Sequence, residues 1–261
     1  MSNDELPAEP SYRVDAVDCA IDVLLAVTEF PDLSMAKIAR KVGGSRQRIF
    51  RMIKTLEGRG LIEKTRDGKS FRLGYLALIV GNAAKAQMEL VRLAEPVMRD
   101  VGTQVDETVQ LRIREGLETI CVSRWEPERD IRVHAVIGRR RPLHAGSSKM
   151  FLAYLPEQQR EDYLAGQLSS FTPKTVVDPA ALRARLAEIR SKGYLVSRGE
   201  VSEDLVSVTA PVFSADKSVL ATINISAPAV RCSASDQERW VRVVIDGSIQ
   251  LSRMLGYPGS R

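Results

Sequence analysis

Hydrophobic positions recur along the chain at two spacings, and the change of period divides it. Over residues 14–29, Val17, Ile21, Leu24 and Leu25 fall at helical spacing, and Pro31 ends that run. Ser34 is placed to cap a short second helix in which Met35, Ile38, Ala39 and Val42 sit at i, i+3, i+4 and i+7. Gly43-Gly44 breaks it. Ser45 caps a third helix to about Glu57, with Ile49, Met52, Ile53 and Leu56 inward and Gly58 and Gly60 as its stop. Two β-prone runs follow, 61–65 and 70–73, joined by Arg66-Asp67-Gly68-Lys69. The Asp-Gly pair predicts a tight hairpin with both central residues at positive φ. Three helices, a glycine turn and a hairpin predict a winged helix-turn-helix.

Residues 75–88, rich in Ala and Leu with Gly81 inside, predict a connecting helix. Beyond it the period shifts. A helix over about 89–102 precedes strands at 108–114, 118–125 and 131–137. In the first strand Val109, Leu111 and Ile113 alternate with Gln110, Arg112 and Arg114, as in a sheet with one buried face. Helices are predicted at 147–154, 157–164 and 178–192, the last capped by Asp178, buried through Leu182, Leu186 and Ile189, and stopped by Gly193. Strands at 195–197, 206–213 and 219–226 follow, the latter two joined by a turn at 215–217. A closing helix at 235–255 buries Val241, Val244, Ile245, Ser248 and Leu251. Short connections between most strands predict a largely antiparallel sheet. The expected organisation is α+β: a tail at 1–11, a winged head at 12–74, the connecting helix at 75–88, an α/β domain at 89–257 and a tail at 258–261.

Length and composition agree with two folded domains, at 261 residues, 44% hydrophobic and 27% charged. The longest mostly apolar stretch, 75–84, is about half of a bilayer span, and the acidic first ten residues do not read as a secretion signal. A soluble, cytoplasmic protein with no membrane partner is therefore expected. Cys19, Cys121 and Cys232 are far apart, and with only His134 and His144 beside them no metal or other cofactor is expected.

Charge changes the picture more. The net charge is only +5, but residues 33–72 hold twelve bases against Glu57, Glu63 and Asp67, so the remainder of the chain is net negative. A cationic segment inside one small folded unit is the footprint of a polyanion-binding module. At about 100° per residue, Gln47, Arg51 and Lys54 point away from the third helix's apolar stripe, Arg48 flanks them, and Ser45 and Arg46 stand at the end that enters a major groove. Arginine and glutamine can each make bidentate contacts to base edges. Arg51 and Lys54 suit phosphate, and Lys64, Arg66 and Lys69 of the hairpin suit the neighbouring backbone or minor groove.

The run Gly43-Gly44-Ser45-Arg46-Gln47-Arg48-Ile49-Phe50-Arg51-Met52-Ile53, with Leu56 and Gly60, resembles the first-domain pattern of the IclR family of bacterial transcriptional regulators. Phe71-Arg72-Leu73-Gly74, Pro142-Leu143-His144-Ala145, Lys149, Leu152-Ala153, Phe171-Thr172-Pro173-Lys174-Thr175, Ile189-Arg190, Gly193-Tyr194 and Ala210-Pro211-Val212 follow in the family's order. The resemblance, from about residue 12 to Gly256, implies a DNA-binding head, a linker helix used in dimerisation and a GAF-like effector-binding domain. It further implies a homodimer or homotetramer on a palindromic operator, answering to a small organic acid or aromatic compound. Two departures, Ser148 before Lys149 and Asp204 before the Val-x-x-Ala-x-Pro run, fall in loops that border the family's ligand cavity.

For the effector site, Ser147 and Ser148 at a helix start, with His144, Arg124, Asn224 and Ser226, are the expected polar ring. Ile137, Phe151, Ile223 and Ile225 are the expected apolar walls. Trp125 suits either that pocket or a dimer seam. The competing class is a hydrolase or transferase carrying a DNA-binding domain, for which neither GxSxG, HExxH, GxGxxG nor a Walker loop is found. A purely architectural DNA-binding protein is disfavoured because the chain outside residues 33–72 carries no excess of positive charge.

Overall fold

The computed structural model describes residues 14–259. The expected tail at 1–11, the first two residues of the expected head and the last two residues of the chain lie outside the described residues. The chain divides into two units, Met1–Gln87 and Met88–Arg261.

The first unit runs α1 (Asp15–Glu29), β1 (Leu33–Ser34), α2 (Met35–Val42), α3 (Arg46–Gly58), β2 (Ile62–Lys64), β3 (Ser70–Leu73) and α4 (Tyr75–Gln87). Its core joins Cys19, Val23 and Val27 of α1 to Ile38, Ile49, Ile53, Leu56, Ile62 and Phe71. Gly43 and Gly44, at φ 79° and 94°, make the α2–α3 turn in a region that side-chain-bearing residues avoid. Three expectations are corrected. The α1 stripe is Cys19, Val23, Ala26 and Val27, whereas Val17, Ile21 and Leu25 are exposed. α1 carries two overlapping apolar stripes, and packing against α2 and α3 selects one. The wing has a third strand: β1 pairs antiparallel with β3 through Leu33 opposite Phe71, too short a segment to show a period of two. The hairpin loop has positive φ at Gly68 and not at Asp67, because it spans four residues. Thr65 closes that loop, its hydroxyl donating to the Asp67 carboxylate at 2.5 Å and its N–H to the Ser70 carbonyl at 3.0 Å.

The second unit runs α5 (Glu89–Val105), β4 (Thr108–Glu115), β5 (Glu118–Trp125), β6 (Arg140–Pro142), α6 (Lys149–Tyr154), α7 (Glu157–Leu164), α8 (Pro179–Lys192), β7 (Leu195–Arg198), β8 (Leu205–Phe213), β9 (Val219–Pro228) and α9 (Ala234–Met254). The strands form one sheet, ordered β6-β5-β4-β9-β8-β7, and every pairing is antiparallel. One face is apolar: Val109, Leu111, Val208, Ala210, Ile223 and Ile225 pack under α5 and α9. Trp240, Gly247 and Ser252 of α9 are buried there with Val244, Ser248 and Leu251, while the expected Val241 and Ile245 are only partly covered. A second core gathers Leu143, Met150, Leu152, Leu164, Leu182, Leu186 and Ile189 around α6 and α8.

The strand expected at 131–137 does not form. Side chains satisfy its main chain instead of a ladder: the Ala135 N–H donates to Glu126 at 3.0 Å, the Val133 carbonyl accepts from Thr108 at 2.6 Å, and the Ala135 carbonyl accepts from Arg124. The sheet edge is β6, with Arg140 opposite Ile120. The helix expected from Ser147 begins as a 3-10 turn, Gly146–Ser148, and is α-helical only from Lys149.

Candidate nucleic-acid interface and effector cavity

With Ile49, Ile53 and Leu56 sunk in the head's core, α3 turns Arg46, Gln47, Arg48, Arg51 and Lys54 to solvent. The Ser45 hydroxyl caps the helix, accepting from the Arg48 N–H at 3.3 Å. The Arg48 guanidinium itself reaches back to α1 and donates to the Asp15 carbonyl. Lys54 pairs with Glu57 at 2.9 Å one turn on. Lys64, Arg66 and Lys69 are exposed on the wing, whose tip is fixed by the Asp67 carboxylate accepting from Thr65 and from the Lys69 N–H. Those bonds hold the Asp67 carboxyl below the usual aspartate range. Sequence reasoning missed Phe50, whose ring is 48% exposed beside Lys54 on this surface. A large aromatic off the buried stripe of a basic helix was the available signal, and such a ring can contact a thymine methyl.

In the second unit, the sheet face turned away from α5 and α9 is polar. The register sets Gln110, Asn224 and Thr209 in one row and Thr108, Ser226 and Ser207 in the next. Gln110, Arg112, Ser207, Asn224 and Ser226 floor a cavity of about 80 Å³. Residues of the irregular segment, including Val133, Ala135 and Arg139, cover it with Arg141, and Ser147 and Glu200 stand at its side. Gly146 at φ 55° lets the chain pass Val201, whose Cγ2 would lie 2.7 Å from a Cβ placed there.

Three of the lining side chains are guanidinium groups. Arg112, only 4% exposed, donates to Thr119 Oγ1 and the Thr119 carbonyl at 3.0 Å and to the Arg139 carbonyl at 2.9 Å. Among the described residues no carboxylate pairs with Arg112, Arg139 or Arg141. Burial, with Arg141 and Arg139 adding repulsion, brings the Arg112 guanidinium down to about 10, and burial followed by Arg139 lowers Arg141. The one lining carboxylate, Glu200, is already engaged by the fully buried Lys149 and by the Ser197 hydroxyl at 2.9 Å. Burial lowers the Lys149 pKa, with Glu200 opposing that shift. The cavity wall is therefore cationic, and an anion is the species that lowers its energy.

Of the expected effector residues, Ser147, Asn224 and Ser226 line the cavity and the others do not. His144 is buried, with Nδ1 2.8 Å from the Tyr163 hydroxyl and Nε2 2.8 Å from the Ser169 carbonyl. Ser148 bonds to Thr119 instead of capping a helix over the cavity. Phe151 belongs to the α6–α8 core. Ile223 and Ile225 lie on the opposite face of β9 from Asn224, as strand alternation requires. Ile137 is exposed, and Arg124 is occupied by Ala135 and Glu126. Trp125 does not line the cavity and packs its ring against Gly102 of α5. The polar lining residues missed include Gln110, Arg112, His134, Arg139, Arg141 and Glu200. Gln110 and Arg112 were visible as the polar half of β4's alternation, a face read as solvated that is in fact roofed.

The comparisons agree with both halves. A family profile described as bacterial transcriptional regulator IclR C-terminal matches residues 82–253, and a MarR family profile matches residues 18–72. The HTH-type transcriptional regulator KipR of Bacillus subtilis is 30% identical over 87% of this chain and 91% of its own. An IclR transcriptional regulator from Alicyclobacillus acidocaldarius superposes with a TM-score of 0.87 at 24% identity, covering 94% of this chain and all of that one. An IclR homologue from Microbacterium hydrocarbonoxydans, complexed with 4-hydroxybenzoate, gives 0.80 at 24% identity over 92% and 98% of the two chains. Among the described residues no helix is long and apolar enough to cross a membrane. With a helix-turn-helix at one end and the regulatory domain matched across most of the remainder, this chain belongs to the IclR family of bacterial transcriptional regulators, DNA-binding proteins and not enzymes.

Proposed function

We propose that this regulator binds a palindromic operator as a homodimer or homotetramer, and that an acidic or aromatic small molecule in the second unit's cavity changes its hold on DNA. The observation that carries the effector half is the buried Arg112, without a carboxylate partner among the described residues, in the floor of a partly open cavity. A charge so placed costs stability unless a ligand compensates it. The 4-hydroxybenzoate bound by the Microbacterium homologue supports an acidic ligand.

The oligomer is supported by unpartnered apolar surface on the head. Val17, Ile21 and Leu25 of α1 and Leu78, Ile79 and Val80 of α4 are all exposed. The i, i+4, i+8 stripe on α1 and the exposed apolar run on α4 suit an association face, and a two-fold pair of recognition helices reads a palindrome one helical turn apart. Fluorescence anisotropy with a candidate operator and a scrambled duplex tests the reading. Operator preference that changes on adding an organic acid is expected; equal affinity for both duplexes under all conditions would overturn it.

A further inference from the structure

The hydrogen-bonding inventory of the cavity is one-sided. The Ser226 hydroxyl oxygen accepts from Gln110 Nε2 at 3.1 Å and from Asn224 Nδ2 at 2.8 Å, which leaves its own proton without an acceptor among the described residues. Each of those amides has a second hydrogen in the same position. The Gln110 carbonyl oxygen is turned to Arg112 Nη1, and the Asn224 carbonyl oxygen takes the Thr209 hydroxyl at 2.9 Å, so each already accepts one bond. Arg112 has five N–H donors and makes four bonds, the one from Nη1 at a long 3.4 Å. What remains in the floor is weighted toward donors, with the Ser207 hydroxyl able to act either way. Arg139 and Arg141 add further donors from the covering segment, and Glu200 offers no charge because Lys149 holds it.

Size and shape narrow the occupant. A volume of about 80 Å³, at roughly 10–15 Å³ for each enclosed water, accommodates on the order of six waters. That suits a short aliphatic chain with an acid at each end. Among the described lining residues there is no phenyl, phenol or indole ring, and the His134 imidazole is the one aromatic side chain an aromatic acid would meet.

We propose that the effector is a small aliphatic dicarboxylate of about four carbons, whose two carboxylates are shared among Arg112, Arg139 and Arg141. The proposal rests on the reading of this cavity as the effector site. Two carboxylates satisfy donors on the floor and on the covering segment together, and so tie segment 133–141 to the central strands. The mutual repulsion of three guanidinium groups is what a second negative charge relieves and a single one leaves in part.

Isothermal titration of the full chain tests it with succinate, butyrate, succinamide, 4-hydroxybenzoate and inorganic phosphate as probes. Succinate is expected to bind at least tenfold tighter than butyrate, and succinamide not measurably. Arg141→Gln and Arg139→Gln, on the half-buried and exposed side of the site, are each expected to weaken succinate at least tenfold and to shrink its advantage over butyrate. The assignment is overturned if butyrate or 4-hydroxybenzoate binds as tightly as succinate, or if neither substitution moves succinate affinity by more than twofold. Phosphate matching succinate would reveal a general anion site and overturn it equally. Operator binding measured in parallel separates the two readings. A neutral or aromatic probe that binds and shifts operator affinity removes the dicarboxylate and leaves the regulator; loss of operator preference without any probe bears on the regulator alone.

Discussion

The guanidinium of Arg48 donates to the main-chain carbonyl of Asp15 at 2.5 Å, tying the first turn of α3 to the first turn of α1. A residue that the helical wheel assigns to base reading is thereby a brace for the recognition helix. Arg48→Ala is expected to lower stability by about 1 kcal/mol, the usual worth of such a bond, and to weaken operator and scrambled duplexes alike. Thermal unfolding and anisotropy read these two effects. Relaxed base preference with unchanged stability would return Arg48 to the base-reading set.

Gln47 and Lys64 separate the two kinds of contact. Gln47 points away from the α3 core with its amide unengaged, so Gln47→Ala is expected to relax discrimination at one operator position, by about 1–3 kcal/mol. Lys64→Ala on the wing is expected to weaken all duplexes equally and to flatten the log–log salt slope by roughly 0.9. Anisotropy titrations over a salt series with single-base operator variants distinguish them, and identical profiles for the two variants would refute the division.

The exposed apolar residues of α1 and α4 make a prediction about assembly. Leu25→Asp and Leu78→Asp replace side chains that are 59% and 57% exposed, so each is expected to leave the melting temperature nearly unchanged while shifting sedimentation toward the monomer. Operator affinity should fall with the dimer. An unaltered oligomer with both changes combined would place the seam elsewhere.

Gly102 is a packing constraint. A Cβ there would lie 2.1 Å from Trp125 Cε3, and an indole ring wedged on a helix has little room to yield. Gly102→Ala is expected to destabilise the chain by about 1–3 kcal/mol through overpacking, in excess of what better helix propensity returns. Trp125→Phe in the same chain should recover part of the loss in a denaturant titration; no recovery would locate the strain in another contact.

Acid stability should show the β8–β9 turn. The Ser214 hydroxyl and the Ser218 N–H and hydroxyl pull the Asp216 carboxyl from 3.8 to about 2. A depressed folded-state value contributes stability that is fully present above the ordinary aspartate range and is lost as pH falls through about 2. Asp216→Asn is expected to lower the melting temperature at neutral pH and to flatten its dependence below pH 3.8. A variant with the same acid dependence as the parent chain would refute this.

Local signals in the chain were enough for most elements. Gly43-Gly44 between two amphipathic runs, Ser45 and Asp178 as caps, Gly193 as a stop and the alternation of Val109, Leu111 and Ile113 each act within a few residues, and the structure uses each in that role. The errors share a different origin. α1 has two apolar stripes, and nothing inside the helix ranks Cys19, Val23 and Val27 above Val17, Ile21 and Leu25; only the surfaces of α2 and α3 do so. The segment 131–137 has strand-like composition, yet its Val133 and Ala135 backbone groups bond to the side chains of Thr108, Arg124 and Glu126, contacts that no short window of sequence displays.

By itself the amino-acid order determined the two-part plan, the cationic helix-turn-helix and the antiparallel sheet, because periodicity, capping and charge are written in short windows. The cavity proposed for the effector was decided only in three dimensions. Gln110 and Arg112 look like the wet side of a strand until residues 133–141 close over them, and Asn224 and Ser226 join them through a register set by strands more than a hundred residues apart in the chain. Enclosure is a property of surfaces that meet, and it turns an ordinary surface arginine into a buried charge in need of a partner.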